Sequence, residues 1–184
     1  MLAAAAQLFA TRGYTATTMQ EVATACGVSK ATLYHYVRDK HDLLAQITRE
    51  HVARLEALVG AVAHETLDPQ AHLSELILRF MQVYAKAQHE HRVLTEDVKF
   101  LAEADRAAVL DGQRRVVAAF ADAVAALRPD LLQQRLHKPL AMLLFGMINW
   151  TFTWLREGGS LTHATLAPLV LELFLGGLPA VRAR

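Results

Sequence analysis

Residues 18–40 read TMQEVATACGVSKATLYHYVRDK, two short apolar-periodic runs parted by a single glycine. Thr18 precedes the first run and Glu21 follows three residues later, the reciprocal capping box that opens a helix. Val22, Ala23 and Cys26 recur at i, i+1 and i+4, which gives that helix one face to bury. Gly27 falls where a left-handed C-cap residue is wanted, and glycine adopts that backbone without a Cβ penalty. Val28 then reads as a buried plug, and Ser29 as the cap of a second helix. In the second helix Leu33, Tyr36 and Val37 share one face, while Lys30, Ala31, Tyr34, His35 and Arg38 share the other. That outer face mixes cations, hydrogen-bonding aromatics and a small residue that permits close approach, features a core-facing surface does not need. Two helices joined in this way, the second presenting its N-terminal residues to base edges, make a helix-turn-helix.

Length and composition set the frame. The 184 residues allow one large or two small helical domains, and 53% hydrophobic content with 7% aromatics and no period-2 runs reads all-α. The net charge is +1, and residues 1–50 carry five Lys/Arg against four Asp/Glu. A basic patch must therefore come from arrangement rather than bulk charge. The lone cysteine, Cys26, excludes an internal disulfide, reads as a small packed residue, and fits a reducing, cytoplasmic setting. Gln7 and Arg12 interrupt the opening apolar run before a signal peptide can form. The longest charge-free run, Pro139–Leu155, has 17 residues and contains Asn149, Thr151 and Thr153. It is shorter than the roughly 20 apolar residues a membrane span needs, so a buried interface helix is expected and no membrane partner.

Upstream of the motif, Leu2–Arg12 is a helix stopped by Gly13, a third wall for the two-helix unit. Downstream, His41–His64 forms a long helix with no flexible linker before it, so its motion should reach the recognition helix. Further helices are expected over His72–His89, Val93–Leu101, Ala104–Leu127, Leu131–Arg156 (one helix, or two offset by Pro139) and Thr162–Leu178. The expected domains are a helix-turn-helix DNA-binding domain at 1–46 and a helical effector-binding and dimerisation domain at 47–184.

The sequence also resembles a family. GVSKATLYHYVRDKHDLL, preceded by LFATRGYTATTMQEVA, is similar to the signature of TetR-type transcriptional regulators, commonly G-V-S-x-x-x-L-Y-x-H/Y-F-x-x-K-x-x-L. The resemblance covers Leu2 to about Glu50. Val37 stands where the family most often has Phe, an apolar exchange. The chain opens at Met1 almost directly on the first helix, without the basic arm many relatives carry, which implies a truncated start or a loss of minor-groove and phosphate contacts. In such a protein Lys30, Ala31, Thr32, Tyr34 and His35 face the major groove, while Thr18, Ser29, Tyr34 and Lys40 hold phosphates.

The last two helices, PLAMLLFGMINWTFTWL and LAPLVLELFLGGL, are apolar nearly all round and must be covered on two sides. One side can meet a second copy in a two-fold, four-helix interface, so a homodimer is expected; the alternative is a large monomer core. Asn149, Trp150, Thr153 and Trp154 set polar atoms into this greasy helix, with Tyr84, Phe100 and Phe120 available to complete an apolar cavity. The residues themselves fit an aromatic core with satisfied hydrogen bonds equally well. The family resemblance implies an effector in this domain, and GMINWTFTWLREGGSLT resembles a stretch of members that respond to acyl-CoA thioesters. That resemblance implies an acyl chain in the interior and arginines such as Arg92 or Arg156 near the CoA phosphates.

The nine histidines do not form a metal site by spacing, since His89 and His91 fall on different helix faces. No nucleophile–base set or Gly-rich phosphate loop is present either, so neither a cofactor nor an enzyme is expected. The expected function is a dimeric repressor that binds a palindromic operator and is released by a small hydrophobic or acyl-CoA effector. Two rivals remain: a DNA-binding protein without an effector, and an all-helical enzyme or carrier whose N-terminal helices mediate protein contacts.

Overall fold

The structure is a computed structural model and describes residues 1–155 and 159–182, with Phe152 described by its backbone only. Among these residues every regular element is helical, the all-α class that composition implied. The helices are α1 (Leu2–Arg12), α2 (Met19–Ala25), α3 (Lys30–Tyr34), α4 (Lys40–Ala63), α5 (Pro69–Lys86) and α6 (Gln88–Glu96). They continue as α7 (Glu103–Leu127), α8 (Pro129–Gln133), α9 (His137–Asn149), α10 (Thr151–Trp154) and α11 (His163–Gly177), with 3₁₀ turns at Val98–Phe100 and Leu178–Ala180. Backbone packing divides the chain into two compact units, Met1–Arg54 with Ala87–Gly112, and Leu55–Lys86 with Gln113–Arg184. In the first unit α6 and the start of α7 pack with the N-terminal helices.

The first unit is built on local capping. The Glu21 amide donates to Thr18 Oγ1 at 3.2 Å, and the Thr18 amide donates to Glu21 Oε2 at 2.8 Å, closing the expected box. At the other end of α2 the Val28 amide reaches the Ala23 carbonyl and the Gly27 amide the Thr24 carbonyl, both at 3.0 Å. This is the Schellman arrangement, and it holds Gly27 at φ +66°. A Cβ at Gly27 would meet nothing within 4 Å, so the glycine answers to backbone handedness rather than to crowding. Ser29 Oγ accepts from the Thr32 amide at 3.0 Å and starts α3.

That helix ends at Tyr34. The amides of His35 and Tyr36 bond carbonyls three residues back, at Thr32 and Leu33, which tightens the last turn towards 3₁₀. The 3.6-residue period that would set Tyr36 beside Leu33 thus does not continue. Leu33 and Val37 are buried, as expected, but Tyr36 is 68% exposed. Val28 is likewise 39% exposed, and not a buried plug.

Phe9, Leu33, Leu43, Leu44 and Ile47 form the middle of this unit. The buried face of α1 is otherwise alanine (Ala5, Ala6, Ala10), small enough for α1 to lie close against α6, which contributes Val93 and Leu94. Arg49 on α4 pairs with Asp105 on α7.

The second unit is organised on a cluster of aromatic rings. Phe80, Phe120 and Phe145 meet edge to face, with ring centroids 4.9 to 5.3 Å apart. Helix α11 packs on α5 through Leu166, Ala167, Val170 and Phe174. Where one helix, or two offset by Pro139, was expected over Leu131–Arg156, the described residues form three pieces. The first break comes before Pro139, where Arg135 takes φ +58°. Pro139 itself lies in the first turn of α9, where a missing N–H costs nothing. Arg156 lies outside the described residues. By length and mean hydropathy (1.3 over His163–Ala180) the C-terminal helix is apolar enough to cross a membrane. Here a third of that window is buried against its own unit.

Candidate nucleic-acid interface and ligand region

Helix α3 presents Lys30, Ala31, Tyr34 and His35 to solvent, while Leu33 anchors it from behind. Tyr34 is 44% exposed, and the Lys30 ammonium stands 5.9 Å from its ring centroid. The two side chains thus share one outward patch of cation, ring and phenol. Thr32 is half-buried, and its hydroxyl lies 2.8 Å from Ser29 Oγ, so both serve the start of the helix. Tyr36, Val28 and Arg38 are exposed beside this face and extend it. Tyr36 was missed in the sequence. The signal for it was the cap that follows, since the Asp42 amide bonds Asp39 Oδ1 at 2.8 Å and α3 must end before that cap.

Two of the expected phosphate ligands are otherwise engaged. Lys40 is half-buried, and its ammonium donates to the carbonyls of Tyr14 and Thr17 at 2.9 Å and of Thr15 at 3.2 Å. It also lies 4.6 Å from the centre of the Tyr14 ring. Three carbonyls occupy its three N–H donors, so Lys40 ties the turn between α1 and α2 to α4 and has no donor left for a phosphate. The Thr18 hydroxyl donates to Glu21 Oε2 at 2.8 Å. Those bonds from Thr18, aided by Arg12, hold the Glu21 carboxylate below its ordinary pKa.

The turn after α1 is fixed by Tyr14. Its ring stacks on Phe100 (centroids 5.1 Å, interplanar angle 24°), and its hydroxyl lies 3.1 Å from His41 Nδ1. Burial first, with Asp39 and Asp97 adding, pushes the phenol up to about 12, so it stays protonated. Phe100 therefore belongs to the N-terminal unit, whereas Phe120, named with it in the sequence reading, lies in the second. Arg92 is also in the N-terminal unit, on α6, where it pairs with Glu96 at 3.1 Å.

In the second unit, three of the expected ligand residues do come together. Tyr84 is buried against Phe80 (centroids 4.6 Å), which in turn packs on Phe120, and the Tyr84 hydroxyl donates to Asn149 Oδ1 at 2.8 Å. Burial raises the Tyr84 phenol well above its ordinary value. The pair is a neutral polar bridge set in apolar surroundings.

Trp150, Thr153 and Trp154 point elsewhere. All three are exposed, and the Thr153 hydroxyl turns back to the Trp150 carbonyl at 2.7 Å. Trp150 and Trp154 instead line an open apolar trough of about 570 Å³ between α9 and α11, with Met142, Leu143, Leu169 and Leu173. Leu143 is 65% and Leu173 68% exposed. The physical reason is that a helix apolar all round gives no clue to which of its sides is covered within the chain.

The chain was compared with known proteins. Residues 1–47 match the model of the "bacterial regulatory proteins, tetR family", and residues 66–178 that of the "tetracyclin repressor-like, C-terminal domain". The chain is 26% identical over 181 residues to the HTH-type transcriptional repressor KstR2 of Rhodococcus jostii, covering 97% of this chain and 89% of that protein. It is similar to a crystal structure of a TetR-family transcriptional regulator from Bordetella parapertussis at 33% identity and a TM-score of 0.89, covering 100% of this chain and 96% of that one. AibR in complex with isovaleryl coenzyme A and operator DNA aligns at 25% identity and a TM-score of 0.78, over 94% of each chain.

Proposed function

The chain belongs to the tetR family of bacterial transcription regulators, and from that premise we propose that it represses from a palindromic operator as a homodimer and is released by an acyl-CoA thioester. The observation that carries the DNA half of this proposal is the outward patch of Lys30, Ala31, Tyr34 and His35 on α3. In the major groove Lys30 donates to a guanine edge, Ala31 leaves room for the backbone to approach, and Tyr34 and His35 reach bases or flanking phosphates. Ser29 and Tyr36 stand beside them on the phosphate side.

One helix-turn-helix reads only a few base pairs, so a two-fold dimer supplies the second half-site, spaced by one helical turn of roughly 34–36 Å or a multiple. The trough between α9 and α11 is the surface suited to that dimer, being apolar, open and bordered by two tryptophans. The effector enters the aromatic interior of the second unit, its acyl chain near Phe120 and its polar end on the Tyr84–Asn149 bridge. What AibR binds supports the thioester class. Helix α4 runs from the DNA-binding unit into the second without a break, so a ligand that prefers one tilt of α4 biases the spacing of the two recognition helices.

A thermal-shift titration with isovaleryl-CoA tests the effector. Binding to the folded state must raise the melting temperature, and free CoA and isovalerate serve as controls. Stabilisation by the thioester, with loss of operator binding, is the expected result. Stabilisation without any effect on operator binding contradicts it.

A further inference from the structure

A second recess lies in the C-terminal unit, on the flank of α11 away from the apolar trough. It holds about 220 Å³ between the C-terminal half of α5 and the first turns of α11. Leu78, Met81, Ala167 and Pro168 give it apolar walls, while Gln82, Lys86 and His163 bring polar side chains to it. Its residues on α11 and the exposed Leu169 and Leu173 fall on opposite flanks of the helix at about 100° per residue, so a dimer across the trough leaves the recess open.

Three observations at the polar end converge. Helix α11 has 15 residues and starts here, capped by Thr162, whose Oγ1 takes the Thr165 amide. The amides of His163 and Ala164 have no acceptor among the described residues, as the first turn of a helix requires. His163 is only 8% exposed, lines the recess, and has no hydrogen-bond partner among the described residues. The ring of His163 opens onto the recess rather than being sealed in the core, and an acceptor placed there would meet both the ring and the open amides. Lys86 ends α5 at the rim and makes no ion pair among the described residues, so the charge brought to the site is positive. Among the described residues no carboxylate lines the recess.

We propose that this recess binds the carboxylate of a small aliphatic acid, with Lys86, His163 and the first amides of α11 on the anion and Leu78, Met81 and Pro168 on the chain. A recess of about 220 Å³ is on the scale of a short-chain acid rather than of a whole CoA thioester. The site is distinct from the Tyr84–Asn149 interior and does not depend on it.

The test uses the full-length protein, hexanoate and its uncharged analogue hexanamide, read by amide NMR shifts and isothermal titration. Hexanoate should shift the amides of Lys86, His163 and Ala164 and bind about tenfold or more tightly than hexanamide. Lys86→Met and His163→Leu should each weaken hexanoate about tenfold, and His163→Gln, which keeps an N–H donor, should weaken it less. Circular dichroism checks that each variant keeps its helices, and stabilisation by isovaleryl-CoA should persist in Lys86→Met. Equal binding of acid and amide, or hexanoate binding unaltered in Lys86→Met and His163→Gln, overturns the proposal. Failure of the thioester alone bears only on the effector assigned above.

Discussion

The ammonium of Lys40 sits 2.9 Å from the carbonyl oxygen of Tyr14, inside a ring of three carbonyls that also includes Thr15 and Thr17. A cation at this place in a helix-turn-helix protein invites a phosphate contact, yet its donors are spent on its own backbone. Replacing it by Met removes charge-assisted bonds worth about 2–3 kcal/mol of stability. Lys40→Met should therefore lower the urea midpoint while leaving the slope of log K against log salt unchanged. A phosphate ligand would behave otherwise, because its loss reduces that slope by about 0.9.

The Tyr84–Asn149 bond makes a second prediction. Tyr84→Phe leaves Asn149 Oδ1 without its 2.8 Å donor beside the aromatic core. The cost should be about 1–3 kcal/mol in chemical denaturation, with the helix content kept. Combined with Asn149→Ala, the two losses should not add, since the second removes the acceptor that the first strands. Additive losses contradict the bridge.

Acid should weaken the fold through His51. Its side chain is fully buried on α4, with its ring centroid 5.7 Å from that of His91. Burial, helped by Arg54, lowers its pKa from 6.5 to about 4. Between those values the unfolded chain takes up a proton that the folded chain refuses. The contribution is thus fully present above about pH 6.5 and drains away as pH falls to about 4, roughly 3 kcal/mol in all. Asp97 works in the opposite sense. Burial and Glu96 raise it to about 6, so the folded chain holds that proton more tightly and gains stability in acid. The two effects oppose each other in the whole protein, and His51→Leu separates them. The stability of the wild type relative to this variant should fall by about 3 kcal/mol from neutral pH to about pH 4, and a constant difference contradicts the assignment.

The open trough predicts an assembly. Leu143 and Leu173 are exposed, so Leu143→Glu and Leu173→Glu should each fold normally. Two carboxylates facing each other across a two-fold axis should then separate the copies. Sedimentation velocity should show a dimer for the wild type and a monomer for Leu173→Glu, with operator affinity falling alongside. A wild-type monomer removes this surface from the account.

The local features were legible in the sequence and the distant ones were not. The box at Thr18 and Glu21, the left-handed Gly27 and the cap at Ser29 depend on neighbours within six residues, and each stands as read. Tyr36 did not, because a helix that stops after one turn no longer follows the period used to place it. The carbonyl contacts of Lys40 were hidden because they lie in a turn some 25 residues upstream and carry no side-chain signature. Phe100 and Phe120 look interchangeable in sequence, yet one stacks on Tyr14 and the other on Phe80. Trp150 and Trp154 were placed inside because the helices around them are apolar on every side, and only the fold decides which side is left open. The packing of α1 on α6 was equally hidden, since an alanine face records closeness without naming a partner.

Operator reading is assigned to the outward face of α3, and its most direct measurement is an anisotropy titration of Tyr34→Ala against a duplex selected for binding by the wild-type protein. Tyr34 is 44% exposed, so the variant should melt and dimerise as the wild type does. Its affinity for the selected duplex should fall by about 1–3 kcal/mol, roughly fivefold or more, while weak binding to unrelated duplex remains. Affinity equal to that of the wild type, in a variant shown to be folded, would mean that α3 does not read the operator.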